Sequence, residues 1–108
     1  MTSARKSRSK LEKVTDESSV IRCMAGDGLI RIEEWKDGSG KVVRFNLAFI
    51  NFHLFPRDNG RVLGYDTAHG YLHRHFAGAV ELIEHAEYDV VFERFIEEVQ
   101  ELKIRRRL

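Results

Sequence analysis

A chain of 108 residues with 43% hydrophobic content is long enough for one packed domain and too short for two of ordinary size. Cys23 is the only cysteine, which excludes an internal disulfide, and no apolar run approaches the roughly 18 residues a membrane helix needs. The net charge of +1 hides basic ends around an acidic centre, nine basic against fourteen acidic residues in 20–102, and this argues against the broad cationic face of a nonspecific nucleic-acid binder.

Residues 1–19 are rich in Ser, Lys, Arg and Glu, with Leu11 and Val14 as their large apolar groups. That is too little to offset the entropy of ordering, so a flexible basic tail is expected there. MTSARKSRSK has no apolar segment behind it and does not read as a secretory signal, so a soluble, cytoplasmic chain is expected. From Val20 the texture changes to short apolar runs separated by turn signals, the pattern of strands and hairpins. GDG at 26–28 separates the runs 20–25 and 29–35, and KDGSG at 36–40 separates the second from 41–55.

The run 41–55 changes phase part-way. Val43, Phe45, Leu47 and Phe49 share one strand face, while Ile50, Phe52 and Leu54 fall on the other, so a bulge or bend is expected near 48–51. PRDNG at 56–60 supplies a turn in which Asn59 and Gly60 tolerate positive φ, and 61–66 follows as the return strand of an antiparallel hairpin. Residues 76–83 read as one further short strand. Val91, Phe92, Phe95, Ile96, Val99 and Leu102 then recur at helical spacing, with Asp89 as the expected N-cap and Lys103, Arg105, Arg106 and Arg107 suiting the negative end of the helix dipole.

The expected fold is therefore α+β, an antiparallel sheet of four to five strands with one long C-terminal helix packed on one face. Residues 20–104 form its single domain, and 105–108 a basic C-terminal tail. An uncovered sheet edge makes a homodimer reasonable.

Chemistry concentrates in GYDTAHGYLHRHF, residues 64–76. His69, His73 and His75 lie within seven residues, beside Tyr65, Asp66 and Arg74. Imidazoles with an ordinary pKa of roughly 6.5 serve as acid or base near neutrality. A phenol donates a hydrogen bond, and a guanidinium holds phosphate. Such a set is suited to cleaving RNA without a metal, one group deprotonating a 2′-hydroxyl while another protonates the leaving oxygen. His73 and His75, two apart, share a face if the segment is extended.

Two other readings stand beside this one. H-x-x-x-H-x-H with Asp66 offers ligands to a metal, although its spacing matches no strong signature such as H-E-x-x-H, and no metal or cofactor is assigned. The histidines also fit a purely structural loop bonded to backbone carbonyls, in a non-catalytic protein-binding module whose sheet edge or acidic helix docks a partner. Elsewhere, Cys23 reads as a small buried hydrophobe, His53 and Asn51 as the polar face of a bent strand, and Trp35 as core or sheet cover rather than a base-stacking platform.

RFNLAFINFHLF, DNGRVLGYDTAHGYLHRHFAG and the amphipathic helix, together residues 42–101, resemble the TumE-like toxins of bacterial and archaeal toxin–antitoxin pairs. In that family a G-Y-D-N-type strand end precedes an H-R-H segment and a helix. Gly64, Tyr65, Asp66, His73, Arg74, His75 and Gly78 occupy the matching places, and Thr67 stands where Asn is expected. The resemblance implies a growth-inhibiting protein acting on RNA and neutralised by a cognate antitoxin, commonly a helix-turn-helix protein. The expected site is then His73 and His75 for proton transfer, Arg74 on phosphate, Tyr65 and Asp66 orienting them, and His69 beside them.

Overall fold

The computed structural model describes residues 10–108. Among them, an antiparallel sheet runs in chain order through β1 (Glu12–Ile21), β2 (Gly28–Lys36), β3 (Val42–Ile50), β4 (Arg61–Asp66), β5 (His73–Phe76) and β6 (Ala79–Leu82), before helix α1 (Tyr88–Leu102). The architecture is α+β, with six strands rather than the four to five expected.

Both additions have a physical reason. Residues 12–19, expected in the flexible tail, make up most of β1, and the first nine residues of that tail lie outside the described residues. Counting apolar groups missed the cross-strand polar pairs that hold β1 to β2. Lys13 reaches Glu33 at 2.8 Å, Arg31 reaches Asp16 at 2.9 Å, and the Thr15 hydroxyl donates to Glu34 at 2.6 Å. At the other end, the strand expected over 76–83 shortens to β6, and β5 is added before it, with Ala77 and Gly78, at φ values of 48° and 87°, turning the one into the other.

The phase change in 41–55 marks the end of a strand. β3 stops at Ile50, after a register shift between Phe49 and Ile50 that leaves Val62 of β4 without a partner in the ladder. Buried Asn51 then ties the chain down. Its Nδ2 donates to the Gly26 carbonyl at 2.8 Å, and its Oδ1 accepts from the backbone N–H of His53 at 2.9 Å and of Leu54 at 3.2 Å. Residues 52–55 therefore turn instead of extending the strand.

One face of the sheet carries Phe45, Leu47, Phe49, Leu63 and Tyr65, and α1 packs on it with Val91, Phe95, Val99 and Leu102. Each such side chain, taken out of water, contributes roughly 1.5–3 kcal/mol. The helix begins two residues earlier than expected: Glu87 precedes its first residue, and Asp89 lies inside the first turn, where its charge still suits the helix dipole. The Tyr88 hydroxyl, donating to Glu34, ties that end to β2. The other end is held by the Met24 N–H, which donates to the Lys103 carbonyl at 2.8 Å. No helix of the described residues is long and apolar enough to cross a membrane. Among the described residues the opposite face of the sheet has no helix on it, and it carries Asp66, His73 and His75.

Candidate active site on the open sheet face

Strand alternation sorts the motif. β4 and β5 pair so that Asp66 faces His73, Tyr65 faces Arg74 and Gly64 faces His75. Successive side chains point to opposite faces, so Tyr65 and Arg74 go under the sheet toward α1, while Asp66, His73 and His75 go to the open face. The set expected to act together is thus divided in two.

Under the sheet, Tyr65 and Arg74 meet Glu98 of α1, which the sequence reading did not single out. The Tyr65 hydroxyl donates to one Glu98 oxygen and the Arg74 guanidinium to the other, while Arg74 Nε also donates to the Tyr65 oxygen at 3.2 Å. Arg74 reaches Glu81 as well, at 3.3 Å. Burial, with Glu98 adding to it, pushes the Tyr65 phenol up to about 12. The same carboxylate holds Arg74 firmly protonated. With its guanidinium saturated beneath the sheet, Arg74 does not fill the phosphate-holding place expected of it.

On the open face Asp66 is the hub. Its Oδ2 lies 2.7 Å from His75 Nε2, its Oδ1 accepts the Ala68 N–H at 3.0 Å, and His73 Nδ1 stands 3.9 Å from Oδ1. The two imidazole centroids are 6.4 Å apart. His75 is the deeper of the pair: its Nε2 is on Asp66 and its Nδ1 is buried with no hydrogen-bond partner among the described residues. His73 is the more exposed. Arg61, which the sequence reading also passed over, supplies a cation 3.9 Å from Asp66 and is itself paired with Asp58 at 3.0 Å.

A local irregularity brings Arg61 there. The unpaired Val62 turns into the core, and the neighbouring Arg61 stem lies over Gly64, where an added Cβ would sit 3.0 Å from Arg61 Cδ. Gly64 is thus the space that the Arg61 side chain crosses.

His69 sits at the tip of the connecting loop with φ 61°, followed by Gly70 at 80°. The Thr67 hydroxyl, in the place where Asn was expected, accepts the Phe45 N–H at 3.0 Å and fastens this loop to β3. His69 lies in the rim of an open groove of about 690 Å³ shared with Trp35, Arg44, Arg61, Asp66 and His73. Among the described residues, no three His, Cys, Asp or Glu side chains converge as a metal site. His53 lies away from this groove, packed against Gly26. A period-2 reading of 64–66 and 73–75 would have separated the two faces, but nothing local announced Glu98 or the bulge that delivers Arg61.

Comparison with protein-family models, with curated proteins and with solved structures finds no match for this chain, so the site is interpreted on its own geometry.

Proposed function

We propose that the protein is a metal-independent endoribonuclease of the toxin class, acting on RNA across the open sheet face and held in check by a cognate antitoxin. The observation that carries the catalytic part is the Asp66 carboxylate between two imidazoles, 2.7 Å from His75 and 3.9 Å from His73, on an uncovered face beside Arg61. The chemistry is transesterification. A base takes the proton from a ribose 2′-hydroxyl, the 2′-oxygen bonds to phosphorus, and the bond to the 5′-oxygen breaks as that oxygen receives a proton. The products are a 2′,3′-cyclic phosphate and a 5′-hydroxyl.

His73 takes the role of base, because it is the more exposed of the two imidazoles that line the groove. Asp66 places its carboxylate 3.9 Å from the His73 Nδ1. His75, the deeper of the two, positions that carboxylate through its 2.7 Å contact. Arg61 takes the phosphate role expected of Arg74, and His69, on the groove rim, enters the step protonated and gives its own proton to the leaving oxygen, while the 2′-hydroxyl proton stays on His73.

The antitoxin reading rests on the resemblance and on charge. Glu34, Asp89, Glu93 and Glu97 surround the half-buried Phe92 and Ile96 in a groove along α1, a surface suited to a basic, partly apolar partner such as a helix-turn-helix protein.

The test is expression without an antitoxin, together with cleavage of RNA by purified protein. His73→Ala should lower the cleavage rate by about 10²–10⁴-fold and restore growth, with Asp66→Asn acting in the same direction. Intact RNA and normal growth with the wild-type protein, or cleavage unaltered in His73→Ala, would sink the proposal.

A further inference from the structure

The open groove extends past the histidines to Trp35 and Arg44, which the proposed cleavage does not use. We propose that these two side chains form a nucleotide subsite for single-stranded RNA, holding the base and phosphate next to the bond cleaved at His73. That its occupant is RNA rests on the ribonuclease reading.

Charge bookkeeping on the open face points to Arg44. Lys13 is paired with Asp16 and Glu33, Arg31 with the same two acids, and Arg61 with Asp58. Lys13 and Asn46, donating to Glu33, keep its carboxyl below the ordinary range, so those pairs are already satisfied. Exposed Arg44 has no carboxylate within 4.0 Å among the described residues. It is a cation in the groove that an incoming phosphate meets without first displacing a protein acid.

Geometry holds that cation in place. The Arg44 guanidinium carbon lies 4.5 Å from the Trp35 ring centroid, and Lys13 Nζ lies 5.0 Å from the same centroid. A planar guanidinium backed by an indole loses little freedom on meeting an oxyanion, and an unstacked base that displaces Lys13 from the ring rests on the indole. Trp35 therefore takes the base-stacking role that the sequence reading set aside in favour of sheet cover.

Spacing completes the case. Arg44 lies two residues before Asn46 on β3, and Asn46 pairs with Asp66, which pairs with His73. That is roughly 7 Å along a strand and roughly 10 Å across two strand spacings to His73, a separation suited to nucleotides one or two steps apart on an extended strand. Bases paired in a duplex do not present their faces to such a platform, so the subsite selects single strands.

Trp35 is the one tryptophan in the chain, so its fluorescence reports on the subsite directly. Full-length His73→Ala protein, used to suppress cleavage, is titrated with a short oligouridylate at several salt concentrations. Saturable quenching is expected. Adding Arg44→Ala should weaken binding about tenfold and reduce the slope of log K against log salt by about 0.7. Arg44→Lys should restore the slope without the full affinity, and Trp35→Phe, which lacks the fluorophore and is followed instead by the anisotropy of a dye-labelled oligouridylate, should keep the slope while losing affinity. Circular dichroism confirms that each variant is folded.

Unchanged affinity and slope in Arg44→Ala would overturn the subsite. Equal quenching by an acidic peptide of matched charge would reduce it to a general anion patch, and equal quenching by duplex RNA would remove its single-strand selectivity. Cleavage tells the two proposals apart. A wild-type protein that binds as expected yet cleaves nothing refutes the nuclease and keeps the subsite, whereas active cleavage with KM unchanged in Arg44→Ala refutes the subsite and keeps the nuclease.

Discussion

Glu98 holds two strands with one carboxylate. Tyr65 of β4 and Arg74 of β5 both donate to it, and these strands carry Asp66, His73 and His75 on their other face. Glu98→Ala leaves a guanidinium and a phenol facing each other without their shared acceptor. Hydrogen bonds to charged groups are worth about 1.5–3 kcal/mol, and solvent reaches this pair, so a loss of about 2 kcal/mol is expected. Urea unfolding of Glu98→Ala against wild type measures it, and a change near zero would show that the network contributes nothing to stability. Glu98 illustrates what a residue list misses. It stands in the acidic series of the helix beside Glu93, Glu97 and Glu101, and what distinguishes it is the tertiary placement of one helix face over Tyr65 and Arg74.

Among the elements, α1 is the one that encloses the core. Phe95 is fully buried and meets the Tyr65 ring edge-on with centroids 6.4 Å apart. Phe95→Ala should cost about 3–5 kcal/mol, read as a lower urea midpoint, and a cost under 1 kcal/mol would mean that the helix is only loosely seated. This element was the most legible in the sequence. Its stripe of Val91, Phe95, Val99 and Leu102 repeats at the helical period and needs no tertiary information. β1 was the least legible, because EKVTDESSVI carries its stabilisation in charges and hydroxyls that find partners only once β2 lies beside it. β5 was hidden for a different reason: HRHF alternates two kinds of polar side chain, so its period-2 pattern lacks the apolar contrast that marks a strand. The candidate site was legible as a place, residues 64–76, and illegible as a partition between faces.

For the molecule as a whole, the sheet divides a covered face from an open one, and the response to pH follows the covered face. The Tyr65 phenol is raised from an ordinary 10.0 to about 12, so the fold favours its neutral form. Stability from this source is fully present below pH 10.0 and is lost as pH rises through about 12. Thermal unfolding from neutral to strongly alkaline pH should show a steeper alkaline loss in wild type than in Tyr65→Phe, and parallel curves would contradict the assignment. The same division gives residues 64–76 an unusual sensitivity to length. Inserting or deleting one residue within β5 would exchange contents between the faces, sending imidazoles toward Glu98 and the guanidinium into the groove, whereas a change of two keeps each side chain on its own side. Parity, more than composition, is what this segment encodes: a shift by one inverts the site, and a shift by two only displaces it.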